Sequence, residues 1–261
     1  ASCAIPPRAR EGGGKAVLFF TPASRLPEGC AGVPIFSAAH LAWLFPVLAL
    51  CVVAMILFSR AKRPARRHVL HGMAAALPAL LFGRIALLLL TGGFTPQWYL
   101  PLHLCDVMAV VESIAVLRGG TLLRELSFCC GMPAAFCALL TPGETVYPFC
   151  NLFYWIFIAL HTLLFLTPAL LLFDGLRPRF SRTPKCFLFL LILAAADGIC
   201  NRVFQSNYLF LREGPAGSIL AVLQQAAGPF YILALAALVW CVWGILYGGA
   251  AVVSLLQRRR R

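Results

Sequence analysis

The sequence predicts an all-α, polytopic integral membrane protein built as a bundle of seven transmembrane helices. The first observation is composition: 61% of the 261 residues are hydrophobic, only 12% are charged, and the mean hydropathy is +0.86. A soluble domain is about half apolar and about a quarter charged. The second observation is that seven windows reach the length of about 20 mostly apolar residues that a membrane span needs. A disordered chain, a coiled coil and an ordinary soluble enzyme are excluded.

The seven predicted spans divide the chain into three parts. The first 37 residues hold a triple glycine, five prolines and one apolar piece that is too short to span, which predicts an irregular extracytoplasmic tail. Residues 38–257 form the transmembrane domain, and 258–261 form a basic cytoplasmic tail. The third span is the shortest and contains Asp106 and Glu112. The predicted spans are 38–58, 69–92, 101–117, 122–141, 150–173, 185–204 and 228–256.

Basic residues predict the orientation, because Lys and Arg accumulate in cytoplasmic loops. The net charge is +13, and seven spans put most of that charge on one side. This predicts a multi-pass cell-membrane protein with its N-terminus outside and its C-terminus in the cytoplasm. Such charges attract anionic lipid headgroups; membrane lipids are the expected partners, nucleic acid is not, and the oligomeric state stays open. The basic residues of the predicted inner side lie at 60–67, 118–124, 177–185 and 258–261.

The eleven cysteines do not indicate a metal or redox site. Most lie inside apolar runs, where cysteine behaves as a small hydrophobe, and no CxxC spacing occurs. Cys3 and Cys30 could pair if the tail faces an oxidising compartment. No metal and no cofactor is expected.

Ionisable residues inside spans are costly, so each one needs a reason. With the predicted orientation, most of them fall in the outer half of the bilayer, which indicates a polar cavity opening outward. Arg84 could pair with Asp106 or Asp197, or could bind a lipid headgroup. Asp197 and Asn201 share a helix face and could bind substrate or join helices by hydrogen bonds. The residues concerned are Arg84, His103, Asp106, Glu112, His161, Asp197 and Asn201.

The stretch at 100–106, Leu-Pro-Leu-His-Leu-Cys-Asp, is the densest chemical signal. Pro101 suits the first turn of a helix, and His103 and Asp106 are then on one face. Cys105 points away from His103, so a base for this thiol has to come from another helix. His161 is the other histidine well inside a span. The spacing alone leaves two possibilities, an inert buried cysteine or a nucleophile.

This heptapeptide resembles the signature of the YwaF-like bacterial integral membrane proteins, which are related to the eukaryotic transmembrane protein 164 family. The resemblance implies seven helices and, for the eukaryotic relatives, lipid acyl transfer through a cysteine and a histidine, here Cys105 and His161. Thr162 and the Cys129-Cys130-Gly131 run depart from the family pattern. Weaker matches in the same order lie at 36–40, 140–142, 207–211, 215, 228–229 and 231.

Two functions follow as hypotheses. In one, Cys105 attacks a phospholipid ester as a cysteine-dependent acyltransferase or lipase, and His161 is its base and then its acid. Asn201 or Asn207 would donate to the oxyanion, and Arg84 would hold the lipid phosphate. In the alternative, the protein is a non-catalytic lipid or small-solute binding or permeation protein with an inert Cys105. Arg84, His103 and Asp106 then form the recognition group.

Overall fold

The computed structural model describes residues 18–27, 30, 32–143 and 146–259, with side chains described up to residue 251. Every regular element in these ranges is helical, which confirms the all-α class. A helical turn at Pro96–Tyr99 precedes α3, and 3-10 turns lie at Ala23–Arg25, Phe180–Arg182, Tyr208–Phe210 and Gly228–Phe230. The helices are α1 (Ala38–Arg60), α2 (Arg63–Leu90), α3 (Leu104–Leu117), α4 (Thr121–Leu140), α5 (Leu152–Phe173), α6 (Thr183–Phe204), α7 (Ile219–Ala227) and α8 (Tyr231–Arg259).

The predicted count of seven spans is wrong by one. Six segments of the described chain are long and apolar enough to cross a membrane: α1, α2, α4, α5, α6 and the α7–α8 segment. The exception is α3, whose 14 residues are about 21 Å long at about 1.5 Å per residue, against a hydrocarbon core of about 30 Å. The first three residues of the predicted span 101–117 lie in an irregular loop, and the helix begins only at Leu104.

One end of the bundle, which we call the basic end, is held together by Glu125. This buried carboxylate accepts from Arg182 Nη1 (2.8 Å), the Arg179 N–H (2.9 Å) and the Tyr247 hydroxyl (2.6 Å). Near it, Arg66 donates to the carbonyl of Phe173 at 2.9 Å. These contacts join the beginnings of α2, α4 and α6 to the ends of α5 and α8.

The opposite end, which we call the far end, is joined by polar contacts of a different kind. His40 accepts from the Phe36 N–H at Nδ1 (2.9 Å) and reaches the carbonyl of Leu139 with Nε2 (3.1 Å), so it ties α1 to the end of α4. Asn151 caps α5 and donates to the carbonyls of Leu18 and Thr21. The segment 18–27 therefore packs onto the helix ends at this end of the bundle. Cys3, of the predicted Cys3–Cys30 pair, lies outside the described residues.

The core is centred on α3 and α5, which pack directly against each other and against α2 and α4. Among the spanning helices α5 is the most buried, whereas α1, α6 and α8 expose most of their apolar surface. In α4 a π-turn, Ser127–Gly131, interrupts the helix. Pro133 has no N–H to give to the carbonyl of Cys129, four residues earlier, and Trp243 Nε1 of α8 donates to that carbonyl instead, at 2.7 Å.

Candidate functional site

The beginning of α3 is set by Tyr208, which comes from the loop after α6. Its hydroxyl accepts from the Leu100 N–H (3.0 Å) and donates to the carbonyl of Pro96 (2.5 Å). Leu100 is extended, as residues before proline tend to be, and α3 begins only at Leu104. The expectation that Pro101 occupies the first helical turn is therefore wrong. Pro96 begins a separate helical turn, Pro96–Tyr99.

Arg84 of α2 pairs with Asp106 in the first turn of α3. The distance from Arg84 Nη2 to Asp106 Oδ1 is 2.9 Å, and the two side chains are only 11% and 5% exposed. The predicted ion pair is present, and its acid is Asp106 rather than Asp197. A carboxylate in the first turn is also favoured by the dipole of α3.

His103 lies at the N-cap position of α3 and contacts aromatic rings of the loop after α6. Its ring centroid is 4.9 Å from that of Tyr208 and 5.4 Å from that of Phe210. It makes no hydrogen bond to Asp106, although the two were expected to meet on one helix face. His103 precedes the helix with a non-helical backbone, and Asp106 is within electrostatic reach of its ring without a hydrogen bond.

The loop after α6 is organised by two asparagine side chains. Asn201 accepts from the Tyr208 N–H (2.7 Å) and the Ser206 hydroxyl (2.9 Å), and donates to the carbonyl of Tyr208 (3.0 Å). Asn207 donates to the carbonyl of Glu213 and accepts from the Arg212 N–H. Both amides thus hold the loop, and their predicted contacts with substrate stay a prediction.

This loop carries backbone strain next to His103. Leu209 and Phe210 have φ values of +55° and +53°. A non-glycine residue in this left-handed region costs about 1–3 kcal/mol where the surroundings force it. The hydrogen bonds of Asn201 and Tyr208 offset that cost and keep the aromatic rings against His103.

Asp197 lies one turn before Asn201 on α6 and is completely buried. Neither of its carboxylate oxygens has a hydrogen-bond partner within the described part of the chain. It is close enough to Tyr208 to influence it electrostatically. Asp197 thus adjoins the Tyr208 loop, one turn from the residue that organises this loop.

His161 is buried in α5, and its two ring nitrogens have different environments. Nδ1 lies 2.8 Å from the carbonyl of Phe157, and a carbonyl can only accept, so Nδ1 carries the proton. Nε2 is then an acceptor, and it has no hydrogen-bond partner among the residues described. Arg84 and His103 are within electrostatic reach of the ring. His161 therefore belongs to the same polar group as the α2–α3 ion pair.

Cys105, the second residue of α3, is a half-buried thiol beside this ion pair. Arg84, Asp106, Glu112 and Cys137 are within electrostatic reach of it. Cys105 packs against a cluster of buried apolar residues that includes Leu160, the neighbour of His161. Because α3 and α5 are in direct contact, no other helix separates the helices that carry Cys105 and His161.

Two surface cavities are found elsewhere. One of about 400 Å³ is lined by Phe20, Thr21, Pro22, Arg25 and Thr91, and one of about 270 Å³ by residues of α6 only. Cys105 and His161 line neither. In the ranges that the structure covers, no group of three or more His, Cys, Asp or Glu side chains could hold a metal ion.

Comparison with known proteins gives the family. The model of the TMEM164 family matches residues 35–247, which is most of the chain and includes the whole site. The chain belongs to the TMEM164 family. A search of curated proteins and of solved structures gives no significant match.

Membership of the TMEM164 family agrees with the resemblance at 100–106, and the chain is a multi-pass membrane protein of this family. Sequence reasoning missed Tyr208, although the stretch 207–211 was part of the resemblance. The feature of the sequence that could have indicated Tyr208 is an aromatic residue within a polar loop at the end of a span. Its role depends on Pro96 and Leu100, more than 100 positions away, which no local pattern reveals.

Proposed function

We propose that this TMEM164-family protein is a cysteine-dependent phospholipid acyltransferase or lipase, with Cys105 as nucleophile and His161 as general base and acid. The observation that carries the proposal is the state of His161. Its Nδ1–H is held by the carbonyl of Phe157, which leaves Nε2 as a free base on the helix packed against α3. The family resemblance adds the acyl-transfer chemistry.

The first half-reaction forms a thioester. His161 Nε2 accepts the proton of the Cys105 thiol, and the sulfur attacks the carbonyl carbon of a phospholipid ester. The tetrahedral intermediate collapses with cleavage of the ester C–O bond, and the leaving alkoxide takes the proton from His161. The products are acyl-Cys105 and a lysolipid, and His161 is neutral again.

The second half-reaction regenerates the thiol. His161 Nε2 removes a proton from the hydroxyl of an acceptor, and the oxygen attacks the thioester carbonyl. The C–S bond breaks, and the sulfur takes the proton back from His161. A lysolipid acceptor makes the protein an acyltransferase, and a water acceptor makes it a lipase.

The remaining predicted residues have binding roles in this proposal. Arg84, which is paired with Asp106 through Nη2, holds the lipid phosphate, and His103 lies beside it at the beginning of α3. Asn201 and Asn207, with Asp197 one turn before Asn201, line the headgroup side, and the amide of Asn201 or of Asn207 donates to the oxyanion. The lipid phosphate and the oxyanion are both negatively charged, so hydrogen-bond donors stabilise both of them.

Labelling of the cysteines tests the nucleophile. We expect a long-chain acyl-type thiol probe to label Cys105 in preference to Cys129 and Cys130, because Cys105 lies on a helix that packs directly against the helix of His161. Peptide mass spectrometry locates the adduct. Incubation with phospholipid should also leave a hydroxylamine-sensitive acyl group on Cys105.

Cys137 of α4 is the matched control, since this exposed thiol is near Cys105 and should react at the same rate with and without His161. The substitution His161→Ala should slow labelling at Cys105 alone. Equal labelling of Cys105 in both proteins would contradict the proposal. It would favour the alternative, a lipid or small-solute binding or permeation protein in which Cys105 is an inert buried thiol.

The proposal includes the cellular location of the protein and its orientation in the membrane. We infer that the protein lies in the cell membrane with its N-terminus outside, its C-terminus in the cytoplasm and the site in the outer half of the bilayer. Although α3 alone is too short to span, residues 91–117 return the chain from the end of α2 at the far end to the beginning of α4 at the basic end, so the termini lie on opposite sides. The support is the clustering of basic residues in the α1–α2 and α5–α6 connections, at the basic end of the bundle.

Thiol accessibility in intact cells tests this orientation. Native Cys150, exposed just before α5 at the far end, should react with a membrane-impermeant maleimide from outside. A cysteine introduced by Arg179→Cys at the basic end should react only after the cells are opened. The Cys150→Ala variant is the control, and the reverse pattern would show that the orientation is inverted.

A further inference from the structure

Glu112 is a buried acid for which neither the proposed reaction nor the sequence analysis provides a role. It lies in the middle of α3 and is completely buried. Neither Oε1 nor Oε2 has a hydrogen-bond partner, and no described residue forms an ion pair with it. By contrast, Asp106 and Glu125 each have a guanidinium partner.

The carboxyl group of Glu112 lies in a notch on α4. Gly131 is the last residue of the π-turn, and a Cβ atom placed there would collide with Glu112 Oε1 and come within 3.3 Å of Met108 Cε. The absence of a side chain at Gly131 is therefore what allows Glu112 to lie against the backbone of the turn.

An unpaired carboxylate in such a place is very unstable. Burial of an isolated ionised carboxylate costs far more than burial of a neutral acid, and such groups take up a proton instead. We propose that Glu112 is an intramembrane proton-binding site, a neutral carboxylic acid whose O–H donates a hydrogen bond to a backbone carbonyl of the Ser127–Gly131 π-turn. The ligand is a proton, and binding it changes no other bond.

The π-turn provides a suitable acceptor. The Met132 N–H donates to the carbonyl of Ser127, five residues earlier, and so does not serve the carbonyl of Phe128. The following residue is Pro133, which has no N–H to give. The two usual intrahelical donors of the Phe128 carbonyl are thus absent, in the turn that Glu112 contacts.

Protonation of Glu112 affects the reactivity of Cys105, a consequence that rests on the proposed function. Glu112 follows Cys105 by seven residues, about two helical turns, so both lie on the same face of α3. A negative charge on Glu112 would oppose formation of the Cys105 thiolate, and the proton removes that charge. The proton-binding site itself stands or fails without any catalysis.

Infrared spectroscopy of the full-length protein in lipid nanodiscs tests the site. The difference spectrum between wild type and Glu112→Gln should show the loss of one protonated carboxylic C=O band and no loss of a carboxylate band. Glu112→Gln should also keep the wild-type unfolding temperature, because glutamine is neutral, has the same size and donates to the same carbonyl. Loss of a carboxylate band, or failure of this variant to fold, overturns the proposal.

Two further variants test the location of the hydrogen bond. Gly131→Ala should shift the Glu112 band, since the new Cβ displaces the carboxyl group from the turn; an unshifted band would refute donation to the π-turn. Asp197→Asn is the matched control. It removes another buried, unpartnered acid, from α6, and should leave the Glu112 band at its frequency.

Discussion

Replacement of His161 by Ala should lower acyl transfer on phospholipid by about 10²–10⁴-fold, the usual contribution of a general base. Cys105→Ser should abolish it, because a serine hydroxyl in this site holds its proton far more tightly than a thiol. Release of labelled lysolipid from purified protein in mixed vesicles measures the first half-reaction. Both variants should still elute as folded protein.

The controls separate chemistry from packing. Cys137→Ser changes a neighbouring thiol and should leave the rate unchanged. His161→Gln keeps a donor for the carbonyl of Phe157 but removes the base, so it should be as inactive as His161→Ala and fold at least as well. Full activity of His161→Gln would mean that this residue holds α5 and takes no part in proton transfer.

Local pattern was sufficient to predict most of the fold. Six of the seven predicted spans correspond to spanning segments of the structure, and Ser37 and Asn151 cap two of the helices concerned. The cost of an unpaired arginine in the membrane predicted a partner for Arg84, and Asp106 is that partner. These inferences succeeded because each depends on hydrophobic length or on charge, which the sequence displays directly.

The features that the sequence did not predict share one cause, which is contact between distant parts of the chain. Helix α3 begins at Leu104 instead of the predicted Pro101, because the Tyr208 hydroxyl is hydrogen-bonded to the backbone of Leu100 and Pro96. Glu125 joins α4 to Arg182 and Tyr247, which are 57 and 122 positions away along the chain. The notch at Gly131 needs both α3 and the π-turn of α4. Helical periodicity contains no information about such pairs.

The substitution Arg84→Ala should lower the free energy of unfolding by about 3–5 kcal/mol, because it leaves Asp106 buried without its cation. Unfolding in mixed micelles with increasing SDS, followed by circular dichroism, measures the loss. Arg202→Ala is the matched control: this exposed arginine of α6 should change the stability by no more than about 0.5 kcal/mol. An equal effect of the two variants would mean that the Arg84–Asp106 pair does not stabilise the bundle.

A double variant then separates the structural role of Arg84 from its proposed role with lipid. Replacing a buried ion pair by apolar residues of similar volume is often neutral, so Arg84→Met with Asp106→Leu should recover most of the lost stability. If Arg84 holds the lipid phosphate, this stable variant should still bind phospholipid poorly and transfer acyl groups slowly. Recovery of both stability and activity would assign Arg84 and Asp106 to helix packing alone, and the phosphate would then need another donor.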